Sequence, residues 1–331
     1  MNTPAVSVVM SVYNGADTLP ETLRSVLTQE GCEFELVVVD DGSTDGSGDI
    51  LDEWAARERR LRVIHQENTG LTRALILGCA AARGTYIARI DAGDCMTPHR
   101  LERQVRLLSL HPDAVLVTCW TEFCGSRWEP LYTVKQQLPS EAMVSSDHWV
   151  ADAMPRQAGA NLTVGPSHHG STMFRADAYR AVGGYRPEFY FGQDWDLWYR
   201  LAEHGRFAGL NQTLYRARVL PGGISAANKQ RQEAHGRCSL GAFVARRAGQ
   251  DETFWLKQAR GLRDGRGLST VVDQVPGSGD YFVGRLLTQN GDRGCLKYLF
   301  RALWKHPVCF RYWYAVLLAT RTLLPARGRR S

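Results

Sequence analysis

Two apolar runs of this chain end in carboxylates. Glu35–Val39 leads into Asp40-Asp41-Gly42-Ser43, and Tyr86–Ile90 leads into Asp91-Ala92-Gly93-Asp94. If both runs are strands of one open parallel sheet, their carboxyl ends lie where such sheets bind ligands. Carboxylates gathered there repel one another unless a cation or hydrogen-bond donors join them. Hard oxygen ligands without Cys or His suit Mg²⁺ or Mn²⁺, commonly shared with substrate phosphates. Taken singly, each stretch also suits a turn or a helix cap; the two together favour the ligand reading. A further carboxylate, Asp194, opens the helical pattern WDLWYRLAEHG, where it suits an N-cap. His168-His169 precedes GSTMF and is read as one imidazole bonding in a cleft and one solvated, not as a metal pair. No phosphate-cradling GxGxxG or GxxxxGK[ST] follows the first run, which ends in Val12-Tyr13-Asn14-Gly15. A dinucleotide fold is therefore disfavoured. A nucleotide bound here would be held by Asp, by the face of Tyr13 and by a metal.

The elements that must position these groups alternate over the first 120 residues. Strands are expected at Val6–Val12, Glu35–Asp40, Leu61–His65, Tyr86–Asp91 and Val115–Trp120. Helices are expected between them near Thr18–Gln29, Ser47–Arg59, Thr69–Ala82 and Pro98–Ser109. That alternation predicts an α/β fold with a mostly parallel sheet flanked by helices. From Glu122 to Pro166 periodicity is poor, and an irregular connection with some short helix is expected. Regular signal returns at Gly170–Arg175 (strand), Ala176–Val182 (helix), Asp194–His204 (helix) and Phe207–Leu210 (strand). After Pro221 the chain reads as an Arg-rich helical extension.

The 331 residues, 44% hydrophobic and 22% charged, exclude a disordered or collagen-like chain and a disulfide-stapled mini-protein. The net +6 hides an asymmetry: residues 1–225 carry 21 Lys+Arg against 27 Asp+Glu, and residues 226–331 carry 19 against 7. The eight cysteines form no CxxC pair and suit buried thiols in a reducing cytoplasm. The first residues read as a strand and not as a signal peptide. No window reaches the roughly 18 apolar residues of a spanning helix; the nearest is Tyr312–Thr320, between Arg311 and Arg321.

VSVVMSVYNGADTLPETLRSVLTQ, FELVVVDDGSTDGS, NTGLTRAL and ARGTYIARIDAGD, followed by GSTMFRADAYRAVGGYRPEF, QDWDLWYRLAEHGRFAGL and PGGIS, resemble glycosyltransferase family 2, inverting enzymes of the GT-A fold. The resemblance covers about residues 1–225 and implies a GT-A-like domain there. Its nucleotide-sugar half would span about 1–120 and its acceptor half about 121–225, with 226–331 a separate basic helical region. It implies that Tyr13 stacks on the nucleobase, that Asp40 and Asp41 read base or ribose, and that Arg73 faces the phosphates. It further implies that Asp91 and Asp94 hold Mg²⁺ or Mn²⁺ at the donor diphosphate. Asp194 matches the family's catalytic base, with Gln193 in place of the usual Glu; Asp196 is the runner-up. Trp195 and His169 are acceptor-side candidates and Arg218 a phosphate-side one. Two departures stand out. Gly93 replaces an expected metal-binding Asp, and Leu220 stands where relatives carry His.

The resulting expectation is an inverting glycosyltransferase that moves a sugar from a UDP- or TDP-activated donor to a growing, lipid-linked glycan. The alternatives are a non-catalytic nucleotide-sugar binder and, less favoured, a sugar-phosphate nucleotidyltransferase. The end of the chain, CLKYLFRALWKHPVCFRYWYAVLLATRTLLPARGRR, mixes cations with Trp, Tyr and Leu. It suits an interfacial helix at an anionic membrane surface, or a bundle packed on the body or on a second copy in a homo-oligomer. Without an accompanying motif, nucleic acid is not expected. A cytoplasmic protein, peripheral at the inner membrane face, fits these features.

Overall fold

The computed structural model describes residues 3–136, 138, 141–153, 165–219, 229–263 and 276–323. Every residue of β1 (Val6–Val12) and β2 (Phe34–Asp40) is buried. Continuous β-branched runs of this kind suit strands covered on both faces. β3 (Leu61–His65) pairs with β2, and β4 (Tyr86–Arg89) pairs with the free side of β1, all parallel. The crossovers are α1 (Leu19–Leu27), α2 (Ser47–Arg57) and α3 (Leu71–Ala81). In α1 the inward residues Leu19, Thr22, Leu23 and Val26 recur at helical spacing behind an early Pro20. The strand order 3-2-1-4 reverses its winding at β1, so the ligand crevice opens beyond the carboxyl ends of β1, β2 and β4.

Beyond β4 the sheet turns antiparallel. β10 (Met173–Arg175) joins β4 to β6 (Ala114–Cys124), followed by β11 (Arg206–Arg218), β9 (His148–Ala151) and β8 (Met143–Val144). The short β5 (Cys95–Met96) also pairs with β11. Three more helices, α4 (Arg100–Leu110), α5 (Ala176–Ala181) and α6 (Gln193–Ala202), complete the layers. Leu197, Trp198 and Leu201 of α6 share one buried cluster with Trp149, Phe174 and Phe207 of the sheet, which fixes α6 rigidly.

The first four strands and helices lie where the sequence predicts them, but three expectations are corrected. Among its described residues the stretch from Glu122 to Pro166 holds strands, including β7 (Pro130–Val134), β8 and β9, rather than short helix; runs of two to five residues carry too few alternations to register as a period. The strand expected from Gly170 starts only at Met173, after a 3₁₀ turn at His169–Ser171. Gly170 is there because any Cβ would strike the Tyr215 ring. The strand expected at Phe207–Leu210 extends to Arg218, since Asn211-Gln212-Thr213 stay paired while half-exposed and so break the apolar pattern.

The chain divides into two packed units. Helices α7 (Lys229–Arg247) and α8 (Thr253–Arg263) belong, from residue 230 on, to the first unit. Phe243 stacks on Tyr199, and Arg246 bonds Glu203 and Glu252. The second unit comprises 122–133, 218–219, 229 and 276–323 of the described residues. There α9 (Ser278–Gln289), α10 (Cys295–Lys305) and α11 (Phe310–Leu323) pack around Leu131, Val283, Leu287, Tyr298, Leu299 and Tyr312. The Tyr298 hydroxyl donates to Glu129 Oε1 at 2.7 Å, tying the helices to the strand pair.

At the amino ends of β1 and β2, opposite the crevice, Glu35 is buried. It accepts from Ser7 Oγ (2.7 Å), Arg83 Nη2 (2.7 Å) and Arg62 Nη1 (2.9 Å). Burial alone would raise this carboxyl's pKa; the donors from Arg83, Ser7 and Arg62 override it and bring the value down to about 2. A depressed carboxyl contributes stability above its unfolded value near 4.5 and loses it as pH falls toward 2. Both arginines reach solvent, so the contribution is about 2 kcal/mol. Glu35→Gln should therefore melt earlier at neutral pH and show a flatter decline in Tm between pH 5 and 2 than the parent (about 2 kcal/mol smaller loss). Parallel acid limbs would refute this account.

Candidate active site

β4 delivers Asp91 to the crevice, and a tight turn brings Asp94 back beside it. The Asp94 N–H donates to the Asp91 carbonyl at 3.1 Å. Gly93, the third residue of the turn, has φ +98, a conformation that suits glycine at this position of a type II turn. The departure from the expected Asp at 93 thus has a backbone reason. Thr22 of α1 clamps the turn: its hydroxyl accepts from Gly93 N (3.0 Å) and donates to the Asp94 carbonyl (2.8 Å).

Below this turn lie two fully buried arginines. Arg89 donates from Nη2 to Asp91 Oδ1 at 2.7 Å and from Nη1 to the Val9 and Ile90 carbonyls. Burial opposes ionisation of Asp91, but the Arg89 guanidinium overrides it and holds the pKa below the usual carboxylate range. Arg100 donates to the carbonyls of Arg89 (3.1 Å) and Thr172 (3.2 Å) and lies 5.0 Å from the Tyr215 ring. The Tyr215 hydroxyl accepts from Asp91 N (3.1 Å) and donates to Asp94 Oδ2 (2.7 Å). One phenol therefore ties the Asp91 backbone to the Asp94 carboxylate.

His168 stacks on the same Tyr215 ring at 5.2 Å, its Nδ1 3.9 Å from Asp91 Oδ2. One ligand atom each from Asp91, Asp94 and His168 falls within 4.8 Å of the others. Two carboxylates and an imidazole suit Mn²⁺ or Mg²⁺ with positions left for phosphate oxygens, so the residues fit the expected cation, with His168 added. His169 faces the other way. It is buried, with Nε2 2.6 Å from Tyr185 Oη and its ring edge-on to Trp198. Burial, with Arg89 nearby, pushes its pKa down to about 3. Which histidine of the pair meets the carboxylates is set by the 3₁₀ turn. Arg89 has a visible signal, a charge inside the apolar run Tyr86–Ile90, whereas Tyr215, on a distant strand, has none.

Asp194 rides the first turn of α6. The cap is Gly192 (φ 66), not Asp194 itself. Its Oδ1 accepts from Trp195 N at 2.9 Å. Burial, aided by the Asp91 charge, pushes the Asp194 carboxyl up to about 6. The runner-up Asp196 points elsewhere, held by Arg200 Nη2 at 2.5 Å with Arg186 3.7 Å away. Trp195 is 39% exposed beside Asp194.

The loops after β1 and β2 are knit together. Asn14 N donates to Ser43 Oγ (3.0 Å) and Gly15 N to Ser47 Oγ (2.9 Å), which fastens the loop next to the 54% exposed Tyr13 to the chain after β2. Asp40 accepts from Ser43 N (3.1 Å) and contacts His65 Nδ1 (3.0 Å). Asp41 is buried and accepts from Gln66 Nε2 (2.6 Å) and from the Thr69 and Gly70 N–H groups (2.9 Å each), so it shapes the loop leading into α3. Arg73 is exposed on α3. Arg218 lies in the second unit, 4.1 Å over the Trp128 ring. Leu220 falls outside the described residues.

The profile of the Glycosyl transferase family 2 matches residues 7–183. The chain is 35% identical over 224 residues to the putative glycosyltransferase EpsE of Bacillus subtilis (strain 168), covering 65% of this chain and 73% of that protein. Its fold is similar to S. aureus TarS 1-349 in complex with UDP (TM-score 0.53, 16% identity, 96% of this chain and 88% of that one). It is also similar to mannosyltransferase PcManGT from Pyrobaculum calidifontis in complex with GDP-Man and Mn²⁺ (TM-score 0.53, 16% identity, 99% and 89%). At such identities the structural likeness speaks for the fold.

Tyr215→Phe keeps the ring but removes the hydroxyl that joins the Asp91 backbone to the Asp94 carboxylate. Mn²⁺ affinity, read by electron paramagnetic resonance, should fall about 10–100-fold, with folding destabilised by about 1–3 kcal/mol for the unpaired Asp91 N–H. Unchanged Mn²⁺ affinity would refute the phenol's role.

Proposed function

The chain belongs to glycosyl transferase family 2, and from that membership we propose an inverting transfer of a sugar from a UDP- or TDP-activated donor to a hydroxyl of a growing, lipid-linked glycan. Its fold is the GT-A-like α/β fold of TarS and PcManGT, with a helical C-terminal region. The observation that carries the reading is Asp194. It is a carboxyl raised to about 6, on a helix anchored in the core, electrostatically linked to a cluster able to hold a cation. The UDP in the TarS complex and the GDP-Man in the PcManGT complex support a nucleotide-sugar donor.

In this reading the exposed Tyr13 ring takes the nucleobase, and the β2 end, shaped by Asp40 and Asp41, takes the ribose. Arg73 serves the phosphates by charge. A cation held by Asp91, Asp94 and His168 would supply Lewis-acid stabilisation for the departing diphosphate. Asp194 accepts the proton of the acceptor hydroxyl as its oxygen bonds to the anomeric carbon, on the face opposite the breaking carbon–phosphate oxygen bond. The nucleoside diphosphate leaves with the bonding electron pair, and the configuration inverts. Trp195 offers the acceptor sugar an apolar platform, and His169 braces the α6 side through Trp198. A lipid-borne acceptor would be met at the inner membrane face.

Because the base works deprotonated, kcat/KM should fall about tenfold per unit below a pKa near 6 and level off above it. Asp194→Asn should lower transfer by about 10²–10⁴-fold while donor binding, measured by calorimetry, stays within a few-fold. Near-normal turnover in this variant would overturn the assignment. Chelation by EDTA should stop transfer, and Mn²⁺ or Mg²⁺ should restore it; full activity in EDTA would remove the cation from the reading. Donor binding without turnover in all three conditions would instead favour a non-catalytic nucleotide-sugar binder.

A further inference from the structure

Helix α11 has two apolar faces, and only one is covered. Tyr312, Ala315, Val316 and Ala319 are buried in the second unit's core. Phe310, Trp313, Tyr314, Leu317 and Leu318 follow the spacing i, i+3, i+4, i+7, i+8 and face outward, Phe310 at 80% and Trp313 at 52% exposure. α10 repeats the pattern. Tyr298, Leu299 and Ala302 point inward, while Phe300 and Trp304, one turn apart, point outward. Trp304 is 84% exposed, and Val308, in the loop between the two helices, 83%. Isolated surface hydrophobics need no explanation, but two helices that each present an apolar stripe do.

The charge accompanying these stripes identifies what they fit. Residues 276–323 hold seven Lys and Arg but only two carboxylates, Asp280 and Asp292. Asp280 is buried and engaged by Lys305 Nζ at 2.7 Å and by Arg301 at 3.6 Å. Lys297, Arg311 and Arg321 are exposed on the same helices as the stripes. Trp313 is oriented by its indole N–H, which donates to the Pro307 carbonyl at 2.8 Å. Among the described residues no helix is long and apolar enough to cross a membrane, so an apolar face of this kind lies in a surface and not through it. A second copy of this chain would set like charges against like.

We propose that α10, the loop after it and the outward face of α11 dock onto an anionic phospholipid bilayer. Trp304, Phe310, Trp313, Tyr314 and Leu317 enter the boundary between headgroups and acyl chains, and the flanking cations meet lipid phosphates. This deepens the reading of a lipid-borne acceptor, yet it stands on the surface of the second unit alone, and its test needs no donor, acceptor or metal.

The test is flotation of the full chain with vesicles of phosphatidylcholine alone and of phosphatidylcholine with phosphatidylglycerol, at low and high salt. The expected result is retention on the anionic vesicles, weakened by salt, with a blue shift of tryptophan emission. The paired substitution Trp313→Gln with Leu317→Gln should cut the partition coefficient by about tenfold or more while the thermal midpoint stays near the parent's, because both side chains are exposed. Lys297→Gln with Arg321→Gln, the second variant, should shift the salt dependence while leaving the fold intact. No retention, or equal retention on neutral and anionic vesicles, would overturn the proposal. So would a concentration-dependent dimer abolished by Trp313→Gln with Leu317→Gln, which would assign the stripe to a second copy. Loss of glycosyl transfer with vesicle binding intact would fault the enzymatic reading and leave this one standing.

Discussion

A guanidinium without access to water has to be neutralised where it stands, and Arg89 meets that constraint with Asp91. Its remaining donors go to the Val9 and Ile90 carbonyls, so one side chain ties β1 to the end of β4. Arg100 builds on this tie through the Arg89 and Thr172 carbonyls, bringing α4 and the chain just before β10 to the same point. Breaking such a pair by removing one partner leaves a buried charge alone, at a cost of about 3–5 kcal/mol. The position of Asp91 is therefore a condition of folding, and the edge is organised before any ligand arrives.

From that fixed charge the two carboxyl roles separate. Asp91 is held ionised by Arg89, whereas Asp194, hydrogen-bonded to no arginine among the described residues, is pushed toward neutrality by burial and by the Asp91 charge. Groups whose surroundings drive their pKa values apart are suited to different tasks. The low-pKa carboxylate suits a cation site and the raised one suits proton transfer. Asp196, two residues from Asp194, shows the control. Its proximity in sequence counts for nothing, because Arg200 and Arg186 engage it as structure.

The parallel half of the sheet was legible because β1, β2 and β4 are short, largely apolar runs, and the carboxylates that follow β2 and β4 stand out against them. Asp91 and Asp94 stood out as candidates in that way, and Asp194 as the carboxylate that opens a helical pattern. Tyr215 was not, since nothing in RFAGLNQTLYRAR marks one tyrosine as joining the Asp91 backbone to the Asp94 carboxylate. The role of His168 rests on a 3₁₀ turn wedged beside Gly170, a packing event without a periodic signature. Gly93 shows the opposite limit. Read against a motif it is a missing ligand, but its φ of +98 makes it the hinge that brings Asp94 back to Asp91.

The charge asymmetry divides further once helices are assigned to units. Residues 229–263 hold eight Lys and Arg against three Asp and Glu, and several of these cations pair with carboxylates of the α/β unit, such as Arg246 with Glu203 and Arg260 with Glu188. That block of positive charge works inside the enzyme's own surface. The other block, seven against two over residues 276–323, has almost no acidic partner of its own, since Asp280 is already engaged. It also coincides with the exposed aromatic stripes. Positive charge alone would suit many polyanions, and an apolar stripe alone would suit many proteins. Their combination on α10 and α11 is what narrows the partner to a surface with phosphates outside and hydrocarbon beneath.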